Sequence, residues 1–470
     1  MKNQLEWGII GLGVMGTALA RNLARNGVSL ALYNQFVKGK EERIAARRCQ
    51  EHTELSNSLA FENIKEFVTA LRPKRKIIVM VPAGAAVDAV LTDLVKLLSP
   101  GDMIIDGGNS HFENTQSRYR DLKKQGISFL GIGVSGGETG ALKGPAMMVG
   151  GNPSDFESVR AILEKIVAKN KNSTPCLGYF GTGGAGHFVK TIHNGIEYGE
   201  MQLLAEVYAW MRQQDASPWH LFAEWQHTDS QSYLLGVSAD LMNYKSKNDL
   251  LIEAIEDVTQ HKGTGVWSAI SAAELGFPAT IMTAALQARF SSAQKAIREK
   301  MAKTLSKSIQ QSKVPDADTI KKAYDLARWV NHLQGFSILE YAKKQYEWTF
   351  SLATAARSWT AGCIIQSELM YQCEELLEKY PNLLETKAFS KQFNVNLKAL
   401  SKLLQWGMST QVPLPAFSAT WQYLMGITEA RSTGNFIQAQ RDYFGAHGLT
   451  WTQDESHRGA HGPWHKSSKQ

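Results

Sequence analysis

Residues 7–16 of the chain read WGIIGLGVMG, an apolar run that leads directly into three spaced glycines. Such a run predicts a buried β-strand, and Thr17–Asn26 continue it as a helix. In this arrangement Gly11 permits a tight turn, Gly13 lets a ligand approach the backbone, and Gly16 lets the helix pack close to the sheet. Because phosphates bind at the N-terminus of a helix, the stretch predicts a dinucleotide site.

The first half of the chain alternates short apolar runs with segments of helical length. Each run ends in a turn that contains Gly, Asp or Pro. This alternation is typical of a doubly wound parallel sheet with helices on both faces. The predicted strands are Trp7–Ile10, Ser29–Tyr33, Ile77–Val81, Met103–Ile105 and Phe129–Ile132.

Beyond about residue 183, strand signals give way to helical periodicity, which begins with a predicted helix from Gly184 to Gln214. The segment Gly335–Ala342 faintly echoes Gly195–Gly199, which hints at an internal helical duplication. From about Gly448 the apolar content is too low for independent folding. We therefore predict an α/β Rossmann-type doubly wound domain at 1–183, a large all-α domain at 184–429 and a C-terminal tail at 430–470.

Composition narrows the class of protein. A chain of 470 residues is too long for one core, which predicts two or more domains. Its net charge of +7 comes from scattered Lys and Arg, a distribution that favours anionic small molecules over nucleic acid. No apolar run is long enough for a membrane span, and no secretory leader is visible at the start. Four cysteines without metal-ligand spacing favour reduced thiols, so we expect a cytoplasmic protein.

Five polar residues share one face of the predicted long helix: Lys190, His193, Asn194, Glu197 and Tyr198. The same face continues apolar from Met201 to Tyr208, and the opposite face is apolar too. A helix that is apolar all round is buried, so we expect this polar stripe inside the protein; a solvated face is the alternative. A structural ion pair is a second alternative, but Lys190 and Glu197 are about 10 Å apart along the helix axis.

The end of the second strand bears on the choice of cofactor. An acidic residue there binds the ribose 2′-hydroxyl of NAD and repels the phosphate of NADP. This chain has Asn34, Gln35 and Phe36 at that point, so no carboxylate excludes NADP, and no Arg favours it. The cations Lys38, Lys40 and Arg43 follow closely; they either reach the phosphate or are surface charges.

Two further loops follow predicted strands, GGNS at 107–110 and GVSGGE at 133–138, where ligands bind in open α/β sheets. Together with five other motifs, these loops closely resemble the decarboxylating 6-phosphogluconate dehydrogenases. The motifs are GHFVKTIHNGIEY at 186–198, KGTG at 262–265, RFSS at 289–292, GCII at 362–365 and QAQRDYFGAH at 438–447. The resemblance extends from Gly11 to about Trp464 and rests on separated, collinear motifs.

The resemblance implies a reaction and a role for each matching residue. C3 of 6-phosphogluconate is oxidised as NADP is reduced, the β-keto acid loses CO2, and the enediol is reprotonated to ribulose 5-phosphate. Lys190 matches the base that takes the C3 hydroxyl proton, and Glu197 matches the acid that protonates C1. The implied substrate-binding residues are Asn109, Ser135, Gly136, Gly137, His193, Asn194, Tyr198, Lys262, Thr264, Arg289, Arg441 and His447. The implied cofactor-binding residues are Gly11, Leu12, Gly13, Val14, Met15, Gly16, Asn34, Gln35, Phe36, Val81, Pro82, Ala83 and Asn109.

The resemblance also implies a homodimer with shared active sites. The C-terminal tail would thread through the partner subunit and place Arg441 and His447 in the active site of that subunit. The tail also carries His457, His461 and His465 at a spacing that resembles a metal site on a helix. Glycines and a proline among them argue against a helix, so we predict no metal.

Several positions depart from the family pattern. They are Gln35, Pro82, Thr139, Leu142, Val266, Thr360 and Gln366, most of which replace a charged residue. The missing Arg at Gln35 leaves NAD possible beside NADP. Two alternatives to the implied function stay open at this point: a related β-hydroxyacid dehydrogenase that acts on another, unphosphorylated sugar acid, and a catalytically silent homologue that serves as a binding subunit.

Overall fold

The N-terminal part of the chain is built on an eight-stranded sheet. A computed structural model shows it and describes residues 5–214, 218–246, 249–260, 263–306, 312–452 and 459–465. The strands are β1 (Leu5–Ile10), β2 (Leu30–Tyr33), β3 (Leu59–Phe61), β4 (Leu71–Val79), β5 (Met103–Asp106), β6 (Ser128–Ser135), β7 (Ala146–Gly151) and β8 (Leu177–Tyr179). Their order is β3-β2-β1-β4-β5-β6-β7-β8, and every neighbouring pair is parallel except β6 with β7.

Helices connect these strands and predominate in the remainder of the described chain, which also contains a short hairpin of β9 (Lys245–Ser246) and β10 (Asp249–Leu250). In the sheet region they are α1 (Val14–Arg25), α2 (Ile44–Glu51), α3 (Ile64–Ala70), α4 (Ala85–Val95), α5 (Phe112–Lys124), α6 (Gly137–Lys143) and α7 (Pro153–Ile166). Beyond it are α8 (Ala185–Met211), α9 (Leu221–Trp225), α10 (Tyr233–Leu241), α11 (Thr264–Glu274), α12 (Thr280–Ala293), α13 (Lys295–Thr304), α14 (Ala317–Tyr346), α15 (Leu352–Ser358), α16 (Glu368–Leu377), α17 (Lys387–Thr410), α18 (Pro415–Thr428) and α19 (Gly434–Gly445). The predicted fold class is therefore confirmed.

The strand predictions were right in place and incomplete in number. All five predicted strands exist, and β4 begins six residues before its predicted start at Ile77, with a charged segment that contains Pro73. Strands β3, β7 and β8 were not predicted. The first is a short, largely exposed edge strand, whereas β7 is fully buried and therefore shows no alternation. Neither pattern carries the period of two that marks a half-buried strand.

The strand order reverses between β1 and β4, because β1 lies between β2 and β4. Such a switch point opens a crevice at the carboxyl ends of the strands, which is where dinucleotides bind. Hydrophobic clusters that include Leu23 and Phe156 in one, and Phe67 and Leu122 in the other, cover the sheet. The crevice therefore rests on a rigid base.

The predicted helix Gly184–Gln214 is confirmed as α8, and its central turns are buried all round. It packs closely against α14, which contains the echoing segment Gly335–Ala342. A Cβ on Gly335 would lie 2.5 Å from Ile196, and one on Gly199 would lie 2.3 Å from Asn331. The expectation of a continuous buried face was wrong at Met201, which is 42% exposed, and at the exposed Ala205, whereas Leu204 on the same face is buried.

The chain divides into two compact units, Met1–Thr420 and Trp421–Gln470. The sheet and α8 to α17 belong to the first unit, and α19 belongs to the second. The domain limits at 183 and 429 stay predictions from the sequence. Across the described ranges, none of the helices is both long and apolar enough to cross a membrane.

Glu206 holds the start of α18 against α8. Its carboxylate accepts hydrogen bonds from the amides of Ala416 (2.7 Å) and Phe417 (3.1 Å) and from Gln202 Nε2 (3.0 Å). Burial raises the pKa of Glu206 to about 7, against the opposing effect of these donors. The pKa of this carboxyl is therefore higher in the folded chain than in the unfolded one.

We expect this group to make the protein less stable as pH rises from about 4.5 to about 7, since the folded state holds the proton longer. The expected loss in the free energy of unfolding over this pH range is about 3 kcal/mol. Glu206→Gln should flatten that pH dependence, measured by urea unfolding at several pH values. Glu164→Gln, which changes an exposed carboxylate on α7, is the control. An unchanged slope in Glu206→Gln would contradict the assignment.

Candidate active site

The turn between β1 and α1 has the geometry of a phosphate-binding loop. Gly11 has a φ of +91°, and a Cβ there would lie 2.5 Å from the Met80 carbonyl oxygen. A Cβ on Gly16 would lie 1.9 Å from the Gly11 carbonyl oxygen, whereas one on Gly13 would meet nothing within 4 Å. Gly11 and Gly16 therefore serve packing. Gly13 leaves open the space at the N-terminus of α1, which fits a pyrophosphate.

Asn34 ties the end of β2 to this turn. Its Oδ1 accepts a hydrogen bond from the Leu12 amide at 2.9 Å, and its Nδ2 donates to Glu41 Oε2 at 2.7 Å. Leu12 and Asn34 are both buried, so they shape the site from behind. Gln35 and Phe36, which follow at the end of the strand, are both exposed. Val14 is also exposed, and Met15 is half-buried.

Cationic side chains line a cavity of about 440 Å³ that is formed by the segment after β2. Its lining residues are Gly39, Lys40, Glu42, Arg43, Ala46, Arg47 and Gln50. Two of the three cations considered from the sequence, Lys40 and Arg43, line it, and Lys38 does not. Arg47 was not predicted. Three cations against one carboxylate fit an anionic group such as a ribose phosphate.

Lys190 lies at the centre of a buried polar cluster. Its Nζ is 2.7 Å from Asn194 Oδ1, 3.2 Å from Ser135 Oγ and 3.2 Å from His193 Nδ1. Strand β6 presses directly on the helix here, since a Cβ on Gly133 would lie 2.3 Å from Lys190 Cβ. Burial lowers the pKa of Lys190, against the opposing effect of Glu197. A lysine in this setting can give up its proton and act as a base.

His193 supports this lysine from the same helix. The ring is fully buried, and its Nε2 is 3.1 Å from Ser135 Oγ. Burial, followed by the charge of Lys190, holds the pKa of His193 well below its ordinary value, so the ring is neutral. The structure thus places His193 between Lys190 and Ser135 rather than at an open surface.

Glu197 lies on the same side of α8 as Lys190. Its Oε2 is 3.8 Å from His193 Nδ1, and its side chain is 22% exposed. Burial raises the pKa of Glu197, against the opposing effects of Lys190 and Arg289. A carboxyl with a raised pKa can keep a proton near neutral pH and donate it to a substrate. The cluster therefore contains a candidate base and a candidate acid on one helix.

The predicted loops at the carboxyl ends of β5 and β6 border this cluster. Asn109 is exposed, whereas Ser135 is buried beside Lys190. Gly136 has a φ of +107°, and a Cβ there would lie 2.5 Å from the Gly362 carbonyl oxygen. Gly137 is exposed, with open space beside it. The backbone of Gly362 therefore packs against this loop on one side, and the space beside Gly137 is open.

A cationic corner lies one turn beyond Glu197. The Arg289 guanidinium stacks 3.5 Å from the centre of the Tyr198 ring. A Cβ on Gly265 would lie 2.2 Å from that ring, so the start of α11, with Thr264 as its first residue, packs against it. A guanidinium beside a helix N-terminus suits a phosphate. Lys262 lies outside the described residues.

The second compact unit carries Arg441 and His447, both exposed. It is organised around Asp442, whose two carboxylate oxygens each accept two hydrogen bonds. The donors are the amides of Gly448 and Gly462, His461 Nδ1 and Trp464 Nε1, at 2.8–2.9 Å. Desolvation would raise the pKa of Asp442, but these donors outweigh it and hold the pKa below its usual range.

Asp442, His461 and His465 are close enough together to suggest a metal site. The carboxylate is already saturated by N–H donors, however, so the three side chains fit an internal anchor of the tail. His457 lies outside the described residues.

Some of the residues that depart from the family pattern make internal contacts. Gln366 Oε1 accepts a hydrogen bond from the Gly362 amide at 2.8 Å, and Thr360 Oγ1 accepts one from Asn170 Nδ2 at 3.3 Å. Val266 packs on the cluster that contains Tyr198. Leu142 is half-buried, and Gln35, Pro82 and Thr139 are exposed near the ligand-facing loops. None of these side chains displaces a residue of the Lys190 cluster.

Two buried charged residues beside the site were not predicted. Asp106 ends β5, and Arg118 lies within α5; they are 0% and 7% exposed. The residues that flank each of them in the sequence do not predict its burial. A charged side chain can be buried when it is paired, and the partners here come from separate elements.

Comparisons with known proteins agree over both parts of the chain. The family model for the NAD binding domain of 6-phosphogluconate dehydrogenase matches residues 6–181, and the model for the 6-phosphogluconate dehydrogenase C-terminal domain matches residues 186–464. A Bacillus subtilis NADP(+)-dependent decarboxylating 6-phosphogluconate dehydrogenase is 38% identical, with 95% of this chain and 97% of that one covered. A second B. subtilis enzyme, named as NAD(+)-dependent, is also 38% identical, with 94% and 95% covered.

A solved structure is similar over nearly the whole chain. It is the Plasmodium falciparum 6-phosphogluconate dehydrogenase, described in its apo form, with its cofactor NADP+ and with its substrate 6-phosphogluconate. The TM-score is 0.89 at 32% identity, and 96% of this chain and 98% of that chain are covered.

Proposed function

Because the chain belongs to the family of decarboxylating 6-phosphogluconate dehydrogenases, we propose that it converts 6-phosphogluconate to ribulose 5-phosphate and CO2 as NADP is reduced. The observation that carries the proposal is the buried cluster around Lys190, with Ser135, His193 and Asn194 within 3.2 Å of its Nζ. Glu197 on the next turns supplies the second titratable group. No cluster of this kind is needed for a stable helix.

In this mechanism, Lys190 takes the proton of the C3 hydroxyl as hydride leaves C3. NADP, held at the turn that leads into α1, would supply the nicotinamide that accepts this hydride. The resulting lysine ammonium then polarises the new C3 carbonyl, which favours loss of the C1 carboxylate as CO2. Asn194 and His193 keep Nζ oriented, because both lie within hydrogen-bond distance of it. Burial aids the first step, since it lowers the pKa of Lys190.

Glu197 completes the reaction. Loss of CO2 leaves an enediol, and the protonated carboxyl of Glu197 donates to the carbon that becomes C1 of ribulose 5-phosphate. Its raised pKa keeps the proton available. Arg289 and the start of α11 bind the phosphate at the far end of the substrate, and the exposed Asn109 and Gly137 meet its carboxylate and hydroxyls. An unphosphorylated acid would leave the Arg289 corner without a counter-charge.

Three outcomes separate this function from its alternatives. Purified protein should release CO2 and reduced cofactor with 6-phosphogluconate, and far less with gluconate. Comparable rates with gluconate would favour the hydroxyacid dehydrogenase acting on an unphosphorylated acid. No CO2 and no reduced cofactor with either nucleotide would establish the silent homologue.

Both nucleotides should serve, with NADP modestly favoured. Gln35 supplies no charge at the strand end, while Lys40, Arg43 and Arg47 offer positive charge further along. We expect the ratio of kcat/KM for NADP over NAD to stay below about a thousand, which equals about 4 kcal/mol. Arg43→Gln should reduce that ratio, and Lys38→Gln, outside the cavity, is its control. A ratio above that limit in either direction would reject the expectation.

We further propose a homodimer with shared sites, which mixing two defective variants can test. Lys190→Met lacks the base, and Arg441→Ala lacks the tail cation. In a mixed dimer one site carries both changes and the other carries neither, so its activity should reach about half that of the wild type. Dimers purified through two different tags allow the measurement. Mixed dimers as inactive as the parents would show that the tail serves its own subunit.

We also infer a cytoplasmic location. All four cysteines are free thiols, as expected for a reducing compartment. Three of them, Cys176, Cys363 and Cys373, are buried, and burial raises the pKa of each thiol, so they are poor nucleophiles.

A further inference from the structure

Arg118 of α5 makes hydrogen bonds to the segments that follow two neighbouring strands, β4 and β5. Its Nε donates to Asp88 Oδ1 at 2.8 Å and its Nη2 to the Gly84 carbonyl oxygen at 3.2 Å. Its Nη1 lies 3.3 Å from Ser110 Oγ and 3.5 Å from Asp106 Oδ2. Asp106 also accepts from Ser110 Oγ at 2.6 Å and from the Gly108 amide at 3.1 Å. One buried guanidinium thus holds both loops.

By the proposed function these two loops serve different ligands. The loop after β4 contains Val81–Ala83, which the family resemblance assigns to the cofactor. The loop after β5 carries Asn109, which is exposed between the half-buried Gly108 and the buried Ser110. Strands β4 and β5 pair in parallel with Val79 opposite Asp106, so both loops leave the same edge side by side. Their relative position sets how a nicotinamide would lie against C3 of the substrate.

We propose that Arg118 is a positioning residue that couples the cofactor loop to the substrate loop. The inference rests on the function proposed above. Binding of one ligand fixes the position of one loop. Because the guanidinium is hydrogen-bonded to both loops, it then restricts the position of the other loop as well. The two ligands should then strengthen each other's binding, typically by about fivefold or more. A guanidinium suits this task because it offers donors in several directions from one rigid plane.

Ligand binding without turnover tests the coupling. NADPH and 6-phosphogluconate are both in the reduced state and cannot exchange a hydride, so calorimetry can measure the Kd of 6-phosphogluconate with and without NADPH. In Arg118→Gln the ratio of these two Kd values should fall to within about twofold of one, whereas Arg120→Gln, an exposed change on the same helix, should keep the wild-type ratio. A wild-type ratio of one, or an unchanged ratio in Arg118→Gln, overturns the proposal.

Turnover gives a second readout. Arg118→Gln should lower kcat by about tenfold to a hundredfold and raise the isotope effect of 6-phosphogluconate deuterated at C3, because misplacement slows hydride transfer. An unchanged isotope effect overturns the proposal, and a wild type without turnover overturns the proposed function instead.

If Arg118→Gln does not fold, Asp88→Asn and Ser110→Ala each remove one link. Asp88 is 60% exposed, so its change spares the core. Each change weakens one side of the same connection, so the double variant should lose less coupling than the sum of the two single losses; additive losses count against the proposal.

Discussion

Lys190→Met should lower kcat by about a thousandfold or more and leave the binding of 6-phosphogluconate within a few-fold of the wild type. Methionine fills nearly the same volume in the buried cluster, but it has no proton acceptor for the C3 hydroxyl. Ser135, His193 and Asn194 would remain in place to receive the substrate. Stopped-flow measurement of reduced cofactor gives the rate of the hydride step, and calorimetry gives the Kd.

Two further variants separate the base from a mere positive charge. Lys190→Arg keeps the charge and cannot lose its proton at any working pH, so it should be nearly as slow as Lys190→Met. Lys165→Met, an exposed change on α7, should behave as the wild type. Recovery of more than a tenth of the wild-type rate in Lys190→Arg would mean that the ammonium acts only through its charge.

The local sequence pattern was sufficient to predict those parts of the site that lie within a single helix or turn. The turn at Gly11–Gly16 and the stripe on α8 are each written within about two dozen consecutive residues, and the structure places them as predicted. Burial of Lys190 also followed from its apolar surroundings on the helix. Periodicity reports which face of a helix is covered, and it does so residue by residue.

Contacts between distant segments were out of reach of such reasoning. Ser135 and Lys190 are in contact although they are 55 residues apart in the sequence, and the residues next to either one do not predict this contact. The same holds for Arg118, whose partners include Asp88 on α4 and Ser110 in the loop after β5. Met201 shows the opposite error: its apolar character predicted burial, yet hydrophobicity alone does not say whether a neighbouring surface exists to cover it. Only the family resemblance carried residue roles across these gaps.

Glu197→Gln should block the last step of the reaction and leave the first one largely intact. The amide has the size of the carboxyl and cannot donate a proton to the enediol, so overall turnover should fall by about a hundredfold or more. The step can be observed alone in the reverse sense: with NADPH bound, the enzyme should exchange a C1 hydrogen of ribulose 5-phosphate with D2O, which NMR detects. Glu197→Gln should lose this exchange.

The pH dependence of that exchange follows from the surroundings of the carboxyl. Burial raises the pKa of Glu197, so its acid form persists to a higher pH than that of an ordinary glutamate and declines as pH rises through the raised pKa. Proton donation in the forward direction should therefore weaken with rising pH, and removal of Arg289, one of the charges that oppose the shift, should move that decline to higher pH. Glu164→Gln, an exposed change, serves as the control. Full C1 exchange in Glu197→Gln would assign the acid to another group.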